Sequence, residues 1–201
     1  MATVKISDLV SSEVGQQVPP QVETEVADAL ASLFPSLVPG NWHAPGPVSI
    51  TTDTMRHEWT ISIPLLTFGG AIDRIAIEVT TAVADTVIRL GAYKNDEGQL
   101  GDLLFDAGTV DSSTTGVKEL TISQTLPRGI VWLTAAAQGG SSAPTVRCNS
   151  LAMLYGASAG LAVGAMNNTG WRQSGVSGAL PSTPSSPSTD TKHPIIRVRA
   201  A

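Results

Sequence analysis

The sequence predicts a mainly β protein, an antiparallel sandwich or barrel that follows a short N-terminal helical segment. From about residue 50, apolar and polar residues alternate with a period of two, the spacing of a half-buried strand. Turn signals rich in Gly, Asp, Asn and Ser recur at short intervals between the alternating segments. No such segment alternates with a helical pattern, so a parallel α/β sheet is not expected.

The helical segment lies within the first 40 residues. Pro19 and Pro20 mark its entry and Pro35 marks its end. A narrow apolar stripe with four-three-four spacing lies between these prolines and consists of Val22, Val26, Ala29 and Leu33. An isolated helix of this length is marginal in water. We therefore expect the four stripe residues to dock, either on their own domain or on copies of themselves around a symmetry axis.

The chain is expected to have two parts. Residues 1–48 would be a helical attachment or oligomerisation segment with a linker, because Pro and Gly recur at short intervals in residues 38–48. Residues 49–201 would be the β domain, with about eight candidate strands. The expected turns between strands include NDEG (95–98), DSSTTG (111–116), LPRG (126–129) and QGGSSAP (138–144).

The candidate strands each have one apolar face. In IDRIAIEVTTAV (72–83), for example, Ile75, Ile77 and Val79 lie on one face, and the other face carries Arg74, Ala76 and Glu78. Trp59 and Trp132 lie in similar patterns and are expected in the core. The other candidate strands are HEWTISIPLL (57–66), DTVIRLGAY (85–93), LGDLLFDAGTV (100–110), VKELTISQTL (117–126), GIVWLTAAAQ (129–138), TVRCNSLAMLYG (145–156) and PIIRVRAA (194–201).

Residues 156–193 do not alternate and are rich in Gly, Ala, Ser, Thr and Pro. So long a loop without secondary structure inside a compact domain is either functional or draped over a neighbour. Two alternatives follow for this arm. It is a mobile surface loop, or it becomes ordered on another subunit before the last strand enters the sheet.

The composition argues against several classes of function. Charged residues make up 14% of the chain and the net charge is −5, so neither nucleic acid nor an electrostatic membrane partner is expected. The single Cys148 excludes an intramolecular disulfide and a cysteine zinc site, and we expect it to be a small core residue. The apolar segment 151–166 is shorter than the roughly 18–20 residues of a membrane span, so membrane insertion is not expected. The first residues lack the apolar run of a signal peptide, which predicts synthesis and retention in a cytoplasm or export by another route.

No motif for catalysis or cofactor binding stands out. His43, His57 and His193 lack metal-ligand spacing, and the acidic residues at 96–102 lack the ligand order of a calcium loop. The glycine-containing segments match no phosphate-binding loop, and GxSxG does not occur. We therefore expect no enzymatic activity, no cofactor and no metal site, and a protein that works by presenting a surface.

The candidate contact surface consists of residues in predicted loops. Trp42 and Trp171 lie in segments rich in Gly, Pro and Asn. An aromatic side chain in such a loop can stack on a sugar, anchor in a neighbour's pocket or return to its own domain. The turns at 94–102 and 111–116 are further candidates, and the first contains Asn95 and Asp96.

Five segments, in their order along the chain, resemble the C-terminal β-sandwich domain of minor tail proteins from phages that infect actinobacteria. They are RLGAY (89–93), DLLFDAGTVD (102–111), KELTISQTLPRGIVWL (118–133), GWRQSGVSGALPST (170–183) and the basic end PIIRVRAA (194–201). The resemblance covers about residues 57–201. It implies a jelly-roll-like sandwich, a structural role in the virion, no catalytic residues to carry over and frequent threefold assembly.

The residues and the resemblance together predict a non-enzymatic virion protein assembled in the bacterial host cytoplasm. Within this class we favour a minor tail or fibre protein, a homotrimer that contacts other virion proteins and a glycan on the host surface. A capsid decoration protein or head fibre is an alternative, because only a short helical segment precedes the sandwich. A free-standing carbohydrate-binding module is a second alternative, and a sandwich-type hydrolase is a third.

Overall fold

The computed structural model describes residues 37–45, 50–149, 170–185, 187–190 and 192–201. Strands make up 70% of these residues and no helix occurs among them, so the fold is mainly β. The chain divides into two compact units, Met1–Ser36 and Leu37–Ala201. The predicted helix, with its stripe residues Val22, Val26, Ala29 and Leu33, lies outside the described residues.

The described part of the second unit contains ten strands, which pair in an antiparallel manner. In chain order they are β1 (Trp42–His43), β2 (Ile50–Thr54), β3 (Trp59–Thr81), β4 (Thr86–Asp96), β5 (Gln99–Asp111), β6 (Gly116–Gly139), β7 (Thr145–Asn149), β8 (Gly170–Ser174), β9 (Ser188–Asp190) and β10 (Arg197–Ala200). Strand β1 lies in the segment interpreted as a linker, yet it pairs with β10. The β unit therefore begins before residue 49.

Two long strands organise the sheet. Strand β3 has 23 residues and β6 has 24, and the two pair from Thr60 opposite Ala136 to Val79 opposite Gly116. Gly70 and Gly129 have φ values of 141° and 105°, which interrupt the regular strand conformation. The predicted turn at residues 126–129 is wrong, because Gly and Pro also mark irregularities inside strands.

Each long strand has different neighbours on the two sides of this interruption. The first half of β3 lies between β8 and β6, and the second half of β6 also pairs with β4, which pairs with β5. We call this set the front sheet. The second half of β3 lies between β6 and β10, and β1, β7 and β2 extend this region. We call it the back sheet, and the arrangement is β-sandwich-like.

The main core contains apolar side chains from both sheets. Ile63 and Leu90 come from the front sheet, and Ile75 and Ile77 come from the back sheet. None of these four side chains is more than 1% exposed, so their predicted burial is confirmed. Cys148 is buried in the same core, as expected, and burial raises the pKa of its thiol to about 11.

A second apolar cluster lies on the other face of the front sheet. Its buried members are Tyr93, Leu100, Trp132, Ala136, Val176 and Leu180. Successive residues of a strand point to opposite faces, so β6 contributes Val131 to the main core and Trp132 to the second cluster. Val176 and Leu180 belong to the arm. The described part of the arm is therefore ordered on its own chain, where it covers the front sheet.

The two tryptophans expected in the core differ in their burial. Trp132 is 0% exposed, which confirms that prediction. Trp59 is only partly buried, with the guanidinium carbons of Arg56 and Arg172 at 5.8 and 5.1 Å from its ring centroid. The expectation for Trp59 was wrong because it lies at the first residue of β3, where two arginines pack on its ring instead of a second sheet.

Candidate functional site

Asn95 and Asp96 lie at the end of β4, where the chain turns into β5. Glu97 and Gly98 form the turn, with φ values of 49° and 92°. Positive φ at both central residues is typical of the type I′ turn that closes a two-residue hairpin. The turn predicted at residues 95–98 is therefore confirmed, and it fixes the pairing of Asn95 with Leu100.

An open cleft of about 360 Å³ lies beside this turn. We call it the hairpin cleft, and its lining residues are Lys94, Asn95, Asp96, Leu100, Gly101, Asp102 and Thr183. The arm forms one wall, because the Thr183 hydroxyl donates to Oδ1 of Asp102 over 3.4 Å. Beside it, the backbone N–H of Leu103 donates to the carbonyl oxygen of Ser182 over 2.8 Å. Two parts of the chain distant in sequence thus build one cleft.

Two tryptophans donate hydrogen bonds to the hairpin formed by β4 and β5. The indole N–H of Trp132 donates to Oδ1 of Asn95, and that of Trp171 donates to the carbonyl oxygen of Gly98, each over 3.0 Å. The two rings meet edge to face, with centroids 6.5 Å apart and an interplanar angle of 77°. Because Oδ1 of Asn95 accepts from Trp132, the amide nitrogen is the donor that Asn95 offers to the cleft.

The structure brings three of the four predicted contact residues together. Trp171 supports the hairpin whose end carries Asn95 and Asp96. Its ring packs on the second cluster, so Trp171 returns to its own domain, one of the three alternatives for this side chain. Trp42 is 39% exposed and lies on β1 opposite Arg199, in the back sheet. It is therefore separate from the hairpin cleft.

The second predicted contact turn, at residues 111–116, is held by its own polar groups. The carboxylate of Asp111 accepts the backbone N–H of Ser113 over 3.1 Å and its hydroxyl over 2.6 Å. These hydrogen bonds, with further support from Thr114 and Lys118, lower the pKa of Asp111 below its usual value. The polar groups of this turn therefore stabilise the turn itself.

The chemistry of the hairpin cleft suits a polar ligand. Asp96 and Asp102 supply acceptors, Lys94 and the Asn95 amide supply donors, and the Thr183 hydroxyl can do both. No group of three or more His, Cys, Asp or Glu within the described ranges could hold a metal ion. Among the described residues there is no helix that is long and apolar enough to cross a membrane.

Three of the segments that carry the resemblance contact one another in the front sheet and its cover. Arg89, in RLGAY, donates from Nη1 to both carboxylate oxygens of Asp106, in DLLFDAGTVD, over 3.1 and 3.0 Å. Oδ2 of Asp106 accepts the backbone N–H of Leu180, in GALPST, over 2.9 Å. The Tyr93 hydroxyl donates to the carbonyl oxygen of Pro181 over 3.1 Å. Burial raises the pKa of Tyr93, so this hydroxyl stays a donor.

Asp106 and Gly91 are the residues that sequence reasoning missed. A Cβ on Gly91 would lie 2.4 Å from Cδ1 of Leu180 and 2.6 Å from the carbonyl oxygen of Phe105, so only glycine fits there. The available signals were an aspartate inside the apolar run LLFDAG and a glycine inside the strand LGAY. A scan against protein-family models and a search of curated proteins gave no match.

Proposed function

We propose that this protein is a structural component of a phage virion, a minor tail or fibre protein whose jelly-roll-like β-sandwich faces the host surface. The observation that carries the proposal is the convergence of four resembling segments around the second cluster. RLGAY, DLLFDAGTVD and GIVWL supply the front sheet, and GWRQSGVSGALPST supplies its cover. Proteins that share these segments would share this framework, and the framework is a scaffold for a surface.

The hairpin cleft is the contact surface that the proposal assigns to a host glycan. Sugar hydroxyls donate and accept hydrogen bonds, and the cleft combines carboxylates, an amide, a hydroxyl and an ammonium group within one volume. Asn95 is oriented in advance by the hydrogen bond from Trp132. A group that is already oriented loses less conformational freedom when a ligand binds, which favours affinity.

The position on the particle is tested by immunogold labelling of intact virions with an antibody against this chain, together with mass spectrometry of purified particles. Gold at the tail tip would support the proposal. Gold over the head would replace it with a capsid decoration protein or head fibre. Absence of the chain from the particles would overturn the virion assignment and leave a free-standing carbohydrate-binding module, for which the hairpin cleft would be the site.

The expected homotrimer is tested by light scattering on the full chain. Val26→Asp combined with Leu33→Asp places two charges on the apolar stripe and should reduce the mass to that of a monomer. The matched control is Thr24→Asp combined with Ala31→Asp, which at helical spacing fall on the opposite face. A trimeric mass in both double variants, or a monomeric mass in the wild type, would contradict assembly through the stripe.

Glycan binding is tested on an array of bacterial cell-wall glycans with the wild type and two variants of the hairpin. Asp96→Asn removes a charge from the cleft lining and should weaken binding about tenfold or more, because hydrogen bonds to charged groups contribute about 1.5–3 kcal/mol. Glu97→Gln is the control, since Glu97 is exposed in the same turn and does not line the cleft. Equal binding by both variants would exclude the cleft as the glycan site.

A further inference from the structure

A recess on the back sheet contains an arginine with an unsatisfied donor. The recess has a volume of about 200 Å³, and its lining residues are Ala44, Ile50, Glu78, Arg147, Ile195 and Arg197. We call it the arginine recess. Nε of Arg197, a residue of this lining, is buried and has no hydrogen-bond partner. The arginine recess lies on a different sheet from the hairpin cleft and takes no part in the proposed glycan contact.

The neighbouring arginines of the back sheet are paired. Arg147 donates to both carboxylate oxygens of Glu78 over 3.3 and 2.7 Å, and Arg199 donates to both oxygens of Asp73 over 2.8 and 2.6 Å. Arg197 and Arg199 are two residues apart on β10 and therefore lie on the same face. One strand thus presents a paired guanidinium and, lining the recess, one whose Nε donates to no acceptor.

The charges that line the recess favour an anion with one charge. A buried donor on a charged group is destabilising until an acceptor reaches it. The recess contains two guanidinium groups and one carboxylate, so its formal charge is one positive unit. The carboxylate of Glu78 would repel a ligand with a second negative charge, as a phosphate has near neutral pH. A carboxylate matches the planar donor geometry of arginine and the available charge.

The rest of the lining is apolar. Ala44, Ile50 and Ile195 contribute aliphatic surface, and Ile50 is 60% exposed. A ligand that places hydrocarbon against these side chains would remove their surface from water. We propose that the arginine recess binds a carboxylate that carries an aliphatic group, with Arg197 contacting the carboxylate and Ile50 contacting the aliphatic group. The ligand is a small organic acid or the carboxylate of a protein chain.

The binding test uses NMR on the ¹⁵N-labelled full chain, with 4-methylpentanoate as the probe. Its addition should shift the Nε–H signal of Arg197 in a saturable manner, and Arg197→Gln should weaken binding about tenfold, equivalent to about 1.4 kcal/mol. Arg199→Gln is the matched control and should bind as the wild type does. The neutral 4-methylpentanamide should not bind. Equal binding of the amide, or unchanged binding by Arg197→Gln, would overturn the proposal.

A second variant protects the test against a folding defect in Arg197→Gln. Ile50→Ala changes an exposed side chain and keeps both guanidinium groups. It should weaken 4-methylpentanoate binding by about threefold or more, because the ligand would cover less aliphatic surface, and leave acetate binding unchanged. Equal weakening of both acids, or of neither, would show that Ile50 does not contact the aliphatic group and would overturn that assignment.

The source of the carboxylate is decided by two further probes. An acetylated tetrapeptide that ends in leucine with a free carboxylate represents a protein chain, and the same peptide with an amidated end is its control. Tighter binding of the free-acid peptide than of 4-methylpentanoate would identify a protein terminus as the ligand. The reverse order would identify a small organic acid. Failure of both carboxylates to bind would overturn the proposal.

Discussion

The two halves of β6 belong to one strand, but the fold uses them differently. Residues 131–138 are all buried, because the main core lies on one face and the second cluster, covered by the arm, lies on the other. None of residues 116–125 is buried, and among the described strands this half pairs only with β3. The alternation of apolar and polar residues along a strand therefore does not decide burial alone. Burial also depends on whether other parts of the protein cover each face of the strand and pair with each of its edges.

The exposed half of β6 carries features that discourage pairing with another chain. Lys118 lies opposite Ile77, whose side chain is in the main core, and its ammonium group reaches Thr114 and Asp111 in the adjacent turn. A charge on the core-facing side of an edge strand is a common protection against edge-to-edge association. Pro127, at the end of this half, has no N–H to donate. These residues protect the free edge of the exposed half. The buried half needs no such protection, because it also pairs with β4.

The largest expected effect separates the two halves directly. Leu133→Ala in the buried half should lower the free energy of unfolding by about 2–5 kcal/mol, because Leu133 is 0% exposed and its removal leaves a cavity. Val117→Ala in the exposed half should change it by less than about 0.5 kcal/mol, since Val117 is 57% exposed. Urea denaturation measures both values. Similar losses in the two variants would contradict the difference between the halves.

An intermediate effect tests the cover that the arm places on the front sheet. Gly91→Ala should lower the free energy of unfolding by about 1–3 kcal/mol, because its Cβ would overlap Leu180 and the backbone of Phe105. The control Gly178→Ala lies in the arm, where a Cβ meets nothing within 4 Å. Hydrogen exchange should also accelerate at the amide of Leu180 in Gly91→Ala alone. Unchanged exchange there would show that the arm does not press on β4.

The smallest effect concerns the open face of the back sheet. The hydrogen bonds from Arg147 lower the pKa of Glu78 below its usual value of 4.5, so the folded state favours the ionised carboxylate. This stabilisation is complete above about pH 4.5, the value in the unfolded chain, and is lost as the pH falls through the lower pKa of the folded state. Arg147→Gln should reduce the slope of unfolding free energy against pH below that point. An identical slope in the variant would exclude this pair as its source.

Local patterns predicted part of the candidate site and missed the rest. The turn at Asn95 and Asp96 could be predicted because turn preference is a property of a few consecutive residues. The support from Trp132 and Trp171 could not, since it joins residues 37 and 73 positions apart from their partners. The arginine recess likewise combines Ala44 with β3, β7 and β10. Alternation does not specify such pairings over long stretches of chain.

The sequence by itself determined that the fold is mainly β and antiparallel, the turns at 95–98, 111–116 and 138–144, and the burial of residues such as Ile75 and Ile77. These properties follow from the period of side chains along a strand and from the backbone preferences of turn residues. The tertiary structure alone decided that residues 126–129 interrupt β6 without ending it, and that the described arm covers the front sheet. The physical reason is that both outcomes depend on partners distant in sequence: β3 continues to pair across the interruption, and the second apolar face of β6 requires a cover.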